Sequence, residues 1–103
     1  MTFEDLVKRA TEIRQKYADF ERDKYGTEWT GEELSMGFVG DVGDLMKLVV
    51  AKEGKRNIDD VDDKLAHELA DCLWSVIVIS QKYDIDLEQA FIKTMNHLEE
   101  GLE

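Results

Sequence analysis

Residues 69–79 read LADCLWSVIVI, the longest apolar stretch of the chain, broken by a single carboxylate at Asp71. The stretch is too short to span a bilayer, which needs roughly 20 apolar residues. It is apolar on nearly every side at helical spacing, the pattern of a helix buried in the middle of a soluble fold rather than lying on its surface. A carboxylate among Ala70, Cys72, Leu73 and Trp74 needs compensation, because an unpaired buried charge costs several kcal/mol. Neither Lys nor Arg occurs from Leu65 to Gln81. The counter-charge must therefore be a metal ion or a lysine reaching in from another helix.

Working outward, four helical segments are predicted. The third holds the apolar stretch and runs from about Asp59 to Tyr83, opening on acids that suit the positive end of the helix dipole. The first runs from about Thr2 to Tyr25. Its Phe3, Leu6, Val7, Ala10, Ile13, Tyr17 and Phe20 recur in three- and four-residue steps, and Gly26 stops it. The second, about Gly31 to Glu53, starts at a Thr30/Glu33 capping box and ends at Gly54. The fourth, about Leu87 to Glu100, follows a second capping pair, Asp86 and Gln89, and ends at Gly101. Gly37, Gly40 and Gly43 sit inside the second helix, where each costs about 1 kcal/mol relative to alanine. Close approach by a neighbouring helix or ligand, or ordinary small-residue packing, would account for them.

The 103 residues contain no proline and make one domain, residues 1–103. The expected fold is all-α, an antiparallel bundle of four main helices. A core of this size is modest, so oligomerisation as a homodimer or homotetramer is expected to complete it. A net charge of -11 opposes binding to nucleic acid or an anionic membrane unless cations intervene. One cysteine excludes an internal disulfide and a cysteine-rich zinc site. No signal peptide is visible in the mixed-charge start, Met1 to Lys8, so a cytoplasmic location is expected.

Two carboxylate pairs carry the chemistry. Asp41 and Asp44 on the second helix, and Glu68 and Asp71 on the third, are each spaced i, i+3 and so share a helix face. On adjacent antiparallel helices these faces can aim four carboxylates into one space. Such an oxygen-only donor set suits Mg2+, or Mn2+. Chance must be weighed in so acidic a chain, and Asp59–Asp62 and Asp60–Asp63 read as a solvated helix start. Fainter candidates for substrate contact are Lys93 and Asn96, one turn apart on the last helix; Lys47, one turn after Asp44; and Trp29 and Trp74, which can stack on a base. Surface lysines and core or interface aromatics are the plainer readings of these. His67 is expected to face away from Glu68, and His97 lies in a polar tail. No HExxH, no Gly-rich loop ending in Lys-Ser/Thr and no serine elbow is present.

The run Phe38-Val39-Gly40-Asp41-Val42-Gly43-Asp44-Leu45, followed by Glu68-Leu69-Ala70-Asp71, resembles the MazG-type all-α nucleoside triphosphate pyrophosphatases, whose helices carry GExGEL or EExxE and then ExxD. Tyr83 to Phe91 is similar to the family's link into its last helix. Phe20 to Trp29, with Glu21-Arg22-Asp23, is similar to the start of the dCTP-pyrophosphatase branch. The likeness spans Phe20 to Asn96. It implies a magnesium-dependent hydrolase that cuts a nucleoside triphosphate into monophosphate and pyrophosphate. It also implies that Asp41, Asp44, Glu68 and Asp71 are the metal ligands and catalytic carboxylates, in a nucleotide-pool house-cleaning role. Asp41 and Asp44 replace the family's usual glutamates. The missing methylene moves a ligand by about 1 Å, a displacement that can cost about 10²-fold in rate. Two rival readings follow: a weakened nucleotide- or metal-binding regulatory module, and an acidic helical interaction protein without a ligand.

Overall fold

The computed structural model describes residues 1–102. Among them it has four helices and no strand: α1 (Phe3–Tyr25), α2 (Gly31–Lys52), α3 (Val61–Lys82) and α4 (Leu87–Glu100). Their ends follow local chemistry. Thr2 and Thr30 each form a complete capping box, with Asp5 and Glu33 respectively. Asp86 caps α4 by accepting from the Gln89 N–H at 3.1 Å. Gly26 and Gly54 both take φ 82°, the left-handed conformation that ends a helix and that glycine adopts without steric penalty. α3 begins at Val61 rather than Asp59, because Asp60 is itself left-handed at φ 55°.

α2 and α3 run antiparallel. Lys52 at the end of α2 pairs with Asp62 at the start of α3 (2.6 Å), while Asp41, further back in α2, meets Ser75, further along α3. α1 lies against α3, where the Trp74 indole N–H donates to the Ala10 carbonyl at 3.2 Å. Ala10, Ala18, Leu48, Ile77 and Val78 form the small buried core.

The four helices are those expected from the sequence, and one chain alone leaves the bundle open. α4 has no buried residue, and Phe91, Ile92, Met95 and Leu98 all stay exposed. An apolar groove lined by Phe3, Leu73, Val76 and Phe91 runs between the start of α4 and the rest. Leu69 and Leu73 are exposed too, so α3 is central but buried on fewer sides than its sequence suggests. The radius of gyration is 16.4 Å, against about 13 Å for a compact chain of this length. No helix among the described residues is long and apolar enough to cross a membrane.

Candidate active site

The antiparallel α2–α3 pair brings the two acidic faces together. One oxygen from each of Asp41, Asp44 and Glu68 lies within 4.8 Å of the others; a second group, with the same spacing, joins Glu68 to Asp71 and His67. Glu68 is the member common to both. Its Oε2 is buried and has no hydrogen-bond partner. Burial, and then the negative charges of Asp71, Asp44 and Asp41, push its carboxyl above the ordinary 4.5, with only His67 pulling the other way.

The carboxylate needing compensation is therefore Glu68, not Asp71 as the sequence pattern suggested. The Asp71 side chain is 37% exposed, and one of its oxygens lies 3.1 Å from the His67 Nε2. α3 presents Asp71 near its exposed edge, whereas Glu68, one turn earlier, points into the crevice against α2. Asp41 is half-buried and accepts the Ser75 hydroxyl at 3.3 Å. Asp44 is exposed, with the Lys47 Nζ only loosely placed at 4.0 Å. No lysine or arginine therefore reaches the buried oxygen of Glu68. An orphaned carboxylate oxygen inside an oxygen-rich donor set fits a hard divalent cation. The same surroundings raise Cys72: burial first, then Asp41, Glu68 and Asp71, hold its thiol protonated and unreactive.

Next to the acids, a cavity of about 440 Å³ opens between α1, the α1–α2 joint, α2 and α3. That volume lies within the range of small-molecule sites. Tyr17, Phe20, Trp29 and Trp74 supply its aromatic walls, and Asp41 belongs to its lining as well as to the acidic group. The rings of Tyr17 and Trp74 stand 5.9 Å apart, tilted by 52°. Glu21 braces the wall. It is 5% exposed, receives both ends of the Arg14 guanidinium at 2.7 and 2.8 Å, and accepts the Trp29 backbone N–H at 2.9 Å. The Arg14 hydrogen bond outweighs burial and holds the Glu21 carboxyl below 4.5.

Of the residues singled out from sequence, the structure gathers Asp41, Asp44, Glu68 and Asp71 around one crevice, with Trp29 and Trp74 in the adjoining cavity. Lys47 sits on the exposed rim. Lys93 and Asn96 lie on α4, which lends no residue to the cavity or to the acidic groups. The glycine series has no close neighbour to explain it. A methyl group would meet no atom within 4 Å at Gly40 or Gly43, and only the Trp29 ring, at 3.7 Å, at Gly37. Several contributors escaped the sequence reading. His67 and Ser75 are each four residues from Asp71, on opposite sides along α3, a spacing that marks a shared face. Tyr17 and Phe20 read only as part of a core stripe. Arg14 and Glu21 are two turns apart, within reach for a long side chain.

An all-helical chain with paired acids on consecutive helices defines a class, and comparison identifies the family within it. Residues 38–100 match the MazG nucleotide pyrophosphohydrolase domain, and the chain belongs to that family. The matched span contains both carboxylate pairs and leaves out α1 and Trp29. No curated protein and no solved structure matches the chain.

Proposed function

We propose that this chain hydrolyses a nucleoside triphosphate between its α and β phosphates, releasing monophosphate and pyrophosphate, with Mg2+ or Mn2+ as cofactor. The carrying observation is the buried, unpartnered Oε2 of Glu68, held beside Asp41 and Asp44 and opening through Asp41 onto an aromatic cavity. Asp41, Asp44, Glu68 and Asp71 would hold the cation. When bound, it neutralises phosphate charge that a protein of net charge -11 would otherwise repel, and stabilises the departing pyrophosphate.

The chain's own residues do the rest. Tyr17, Phe20, Trp29 and Trp74 enclose the base by stacking and exclude water. Asp41 lies where the cavity meets the acids, and Ser75 holds its carboxylate by donating to it, so Asp41 is placed to take a proton from the attacking water. Lys47 and, through a second copy of the chain, Lys93 and Asn96 would reach phosphate oxygens. A homodimer or homotetramer would cover the apolar groove beside α4 and the exposed Phe91 and Ile92. The house-cleaning role toward surplus or noncanonical nucleotides and a cytoplasmic location belong to the same reading.

The test is a panel of nucleoside triphosphates incubated with the protein and magnesium or manganese. Release of pyrophosphate without orthophosphate supports the assignment. Failure to turn over any triphosphate at high protein concentration would overturn it. A weakened binding module is the second reading, favoured by the exposure of Asp44 and by aspartate at positions 41 and 44. In that case magnesium plus a triphosphate raises the melting temperature without turnover.

A further inference from the structure

We propose that the Trp29 indole sets the size of base this chain accepts, as a partition that rejects bases carrying a bulky substituent. This rests on the triphosphate reading of the site, in which the base lies in the aromatic cavity. It places base selection outside residues 38–100, the span that matches the family.

A second hollow of about 170 Å³ adjoins the cavity and reaches Gln81 and Lys82 at the end of α3. The two spaces share four walls, Arg14, Trp29, Leu34 and Val78, so these side chains stand between them. Three of the four are fixed. Val78 is buried in the core, and Leu34 is half-buried in the first turn of α2. Both terminal nitrogens of Arg14 are tied to Glu21 at 2.7 and 2.8 Å. Trp29 differs, because it lies on the joint between α1, which ends at Tyr25, and α2, which starts at Gly31, and it is 42% exposed. Its backbone is held on both sides: its N–H donates to Glu21 at 2.9 Å, and the next residue, Thr30, closes the capping box with Glu33. Its ring rests against α2 at Gly37, where a Cβ would stand 3.7 Å from a ring carbon, so the lack of a side chain there leaves the indole its seat. An aromatic plate held this way acts on a ligand in two senses. A plain base stacks on it. A base with a bulky group on that edge clashes with it, and a clash sets specificity as effectively as an attraction. Without the indole the two hollows join, and the group has room in the second. The plainer account makes Trp29 one cover of the cavity among several, in which case trimming any wall loosens selection equally.

The experiment compares the best substrate of the triphosphate panel, with magnesium, against two counterparts bearing a benzyl group at different edges of the same base. kcat/KM is measured for each, and calorimetry with the α,β-methylene analogues of the same compounds gives affinity without turnover. The parent chain should discriminate against a benzylated compound. Trp29→Ala should raise kcat/KM for that compound relative to the plain substrate at least about tenfold, the discrimination that a single methylene commands in an apolar pocket, and the ratio of affinities should move with it. Trp29→Phe keeps a stacking surface and shortens the plate. It should move both ratios the same way by less, and it carries the test if the alanine variant folds poorly. Phe20→Ala, at a wall that does not border the second hollow, should weaken plain and benzylated compounds alike. Equal handling of both compounds by the parent, ratios unmoved by either Trp29 variant, or ratios moved as far by Phe20→Ala would each overturn the partition and leave the pyrophosphohydrolase reading standing. If the parent neither turns over nor binds any triphosphate, that reading falls and takes the partition with it.

Discussion

Two glutamates with carboxylate oxygens out of reach of solvent, buried Glu21 on α1 and half-buried Glu68 on α3, meet opposite circumstances. Glu21 is fully partnered: a bidentate arginine and a backbone N–H occupy its oxygens, and its carboxyl sits below the ordinary value. Glu68 has a buried oxygen with no partner and three more acids around it, and its carboxyl sits above the ordinary value. Desolvation acts on both, so burial alone does not separate them. The difference is whether the protein supplies the counter-charge from its own sequence. At Glu21 it does, and the result is a strut for the Trp29 wall. At Glu68 it does not, and a buried carboxylate oxygen is left without a partner from the chain.

The largest effect should come from removing the second glutamate. Glu68→Gln is expected to lower pyrophosphate release by about 10³-fold, the scale of losing several kcal/mol of transition-state stabilisation. It should also abolish the thermal shift produced by magnesium, which for the parent chain reaches about 2.7 kcal/mol at a cation concentration 100 times the dissociation constant. Yet the same variant should melt higher than the parent without metal, because its amide can donate to the neighbouring carboxylates. Lower metal-free stability would mean that Glu68 has a partner after all, and the contrast with Glu21 would disappear.

Glu21→Ala should do the reverse. Stranding Arg14, whose side chain is only 16% exposed, should destabilise the fold by about 3–5 kcal/mol in urea unfolding, whatever the magnesium concentration. At a temperature where the variant stays folded, loosening of Trp29 should raise KM for the triphosphate more than it lowers kcat. Trp29→Ala isolates that second effect. Loss of one stacking surface is worth about 1–3 kcal/mol, and steady-state kinetics should show it chiefly in KM.

These two sites were not equally legible in the sequence. The helices were readable because caps and apolar stripes are local signals, and Thr30 with Glu33 states a helix start outright. Both acidic pairs were readable because i, i+3 spacing fixes a face. Which of the four acids carries the buried oxygen was not readable. The run around Asp71 is the more apolar, but burial depends on how α3 is rotated against α2, and that rotation turns Glu68 inward. The Glu21 brace was hidden for a related reason. Its partners lie two turns back and in the following joint, and Glu21 stands in a charged sequence, Glu21-Arg22-Asp23, that reads as surface. α4 was legible as a helix but not as an uncovered one, because an amphipathic pattern shows that a face wants burial without saying which surface provides it.

The smallest expected effect is also the most diagnostic of the two glutamates, since it depends on sign. Glu21 binds its proton more weakly in the folded than in the unfolded chain, so its stabilisation is present above about pH 4.5 and is lost as pH falls through its folded value. Glu68 binds its proton more tightly when folded, so its contribution is favourable below about pH 4.5 and is lost as pH rises through its folded value. Without metal, the stability advantage of Glu68→Gln over the parent should therefore grow as pH is raised above 4.5, whereas the deficit of Glu21→Gln should shrink as pH is lowered below it. Saturating magnesium should invert the first trend and leave the second alone, because cation binding needs the carboxylate deprotonated and so strengthens with pH. Urea melts of the three chains between pH 4 and 8, with magnesium and with chelator, make the comparison. Parallel pH profiles for both variants would mean that the two carboxylates share one kind of environment, and that neither is waiting for a cation.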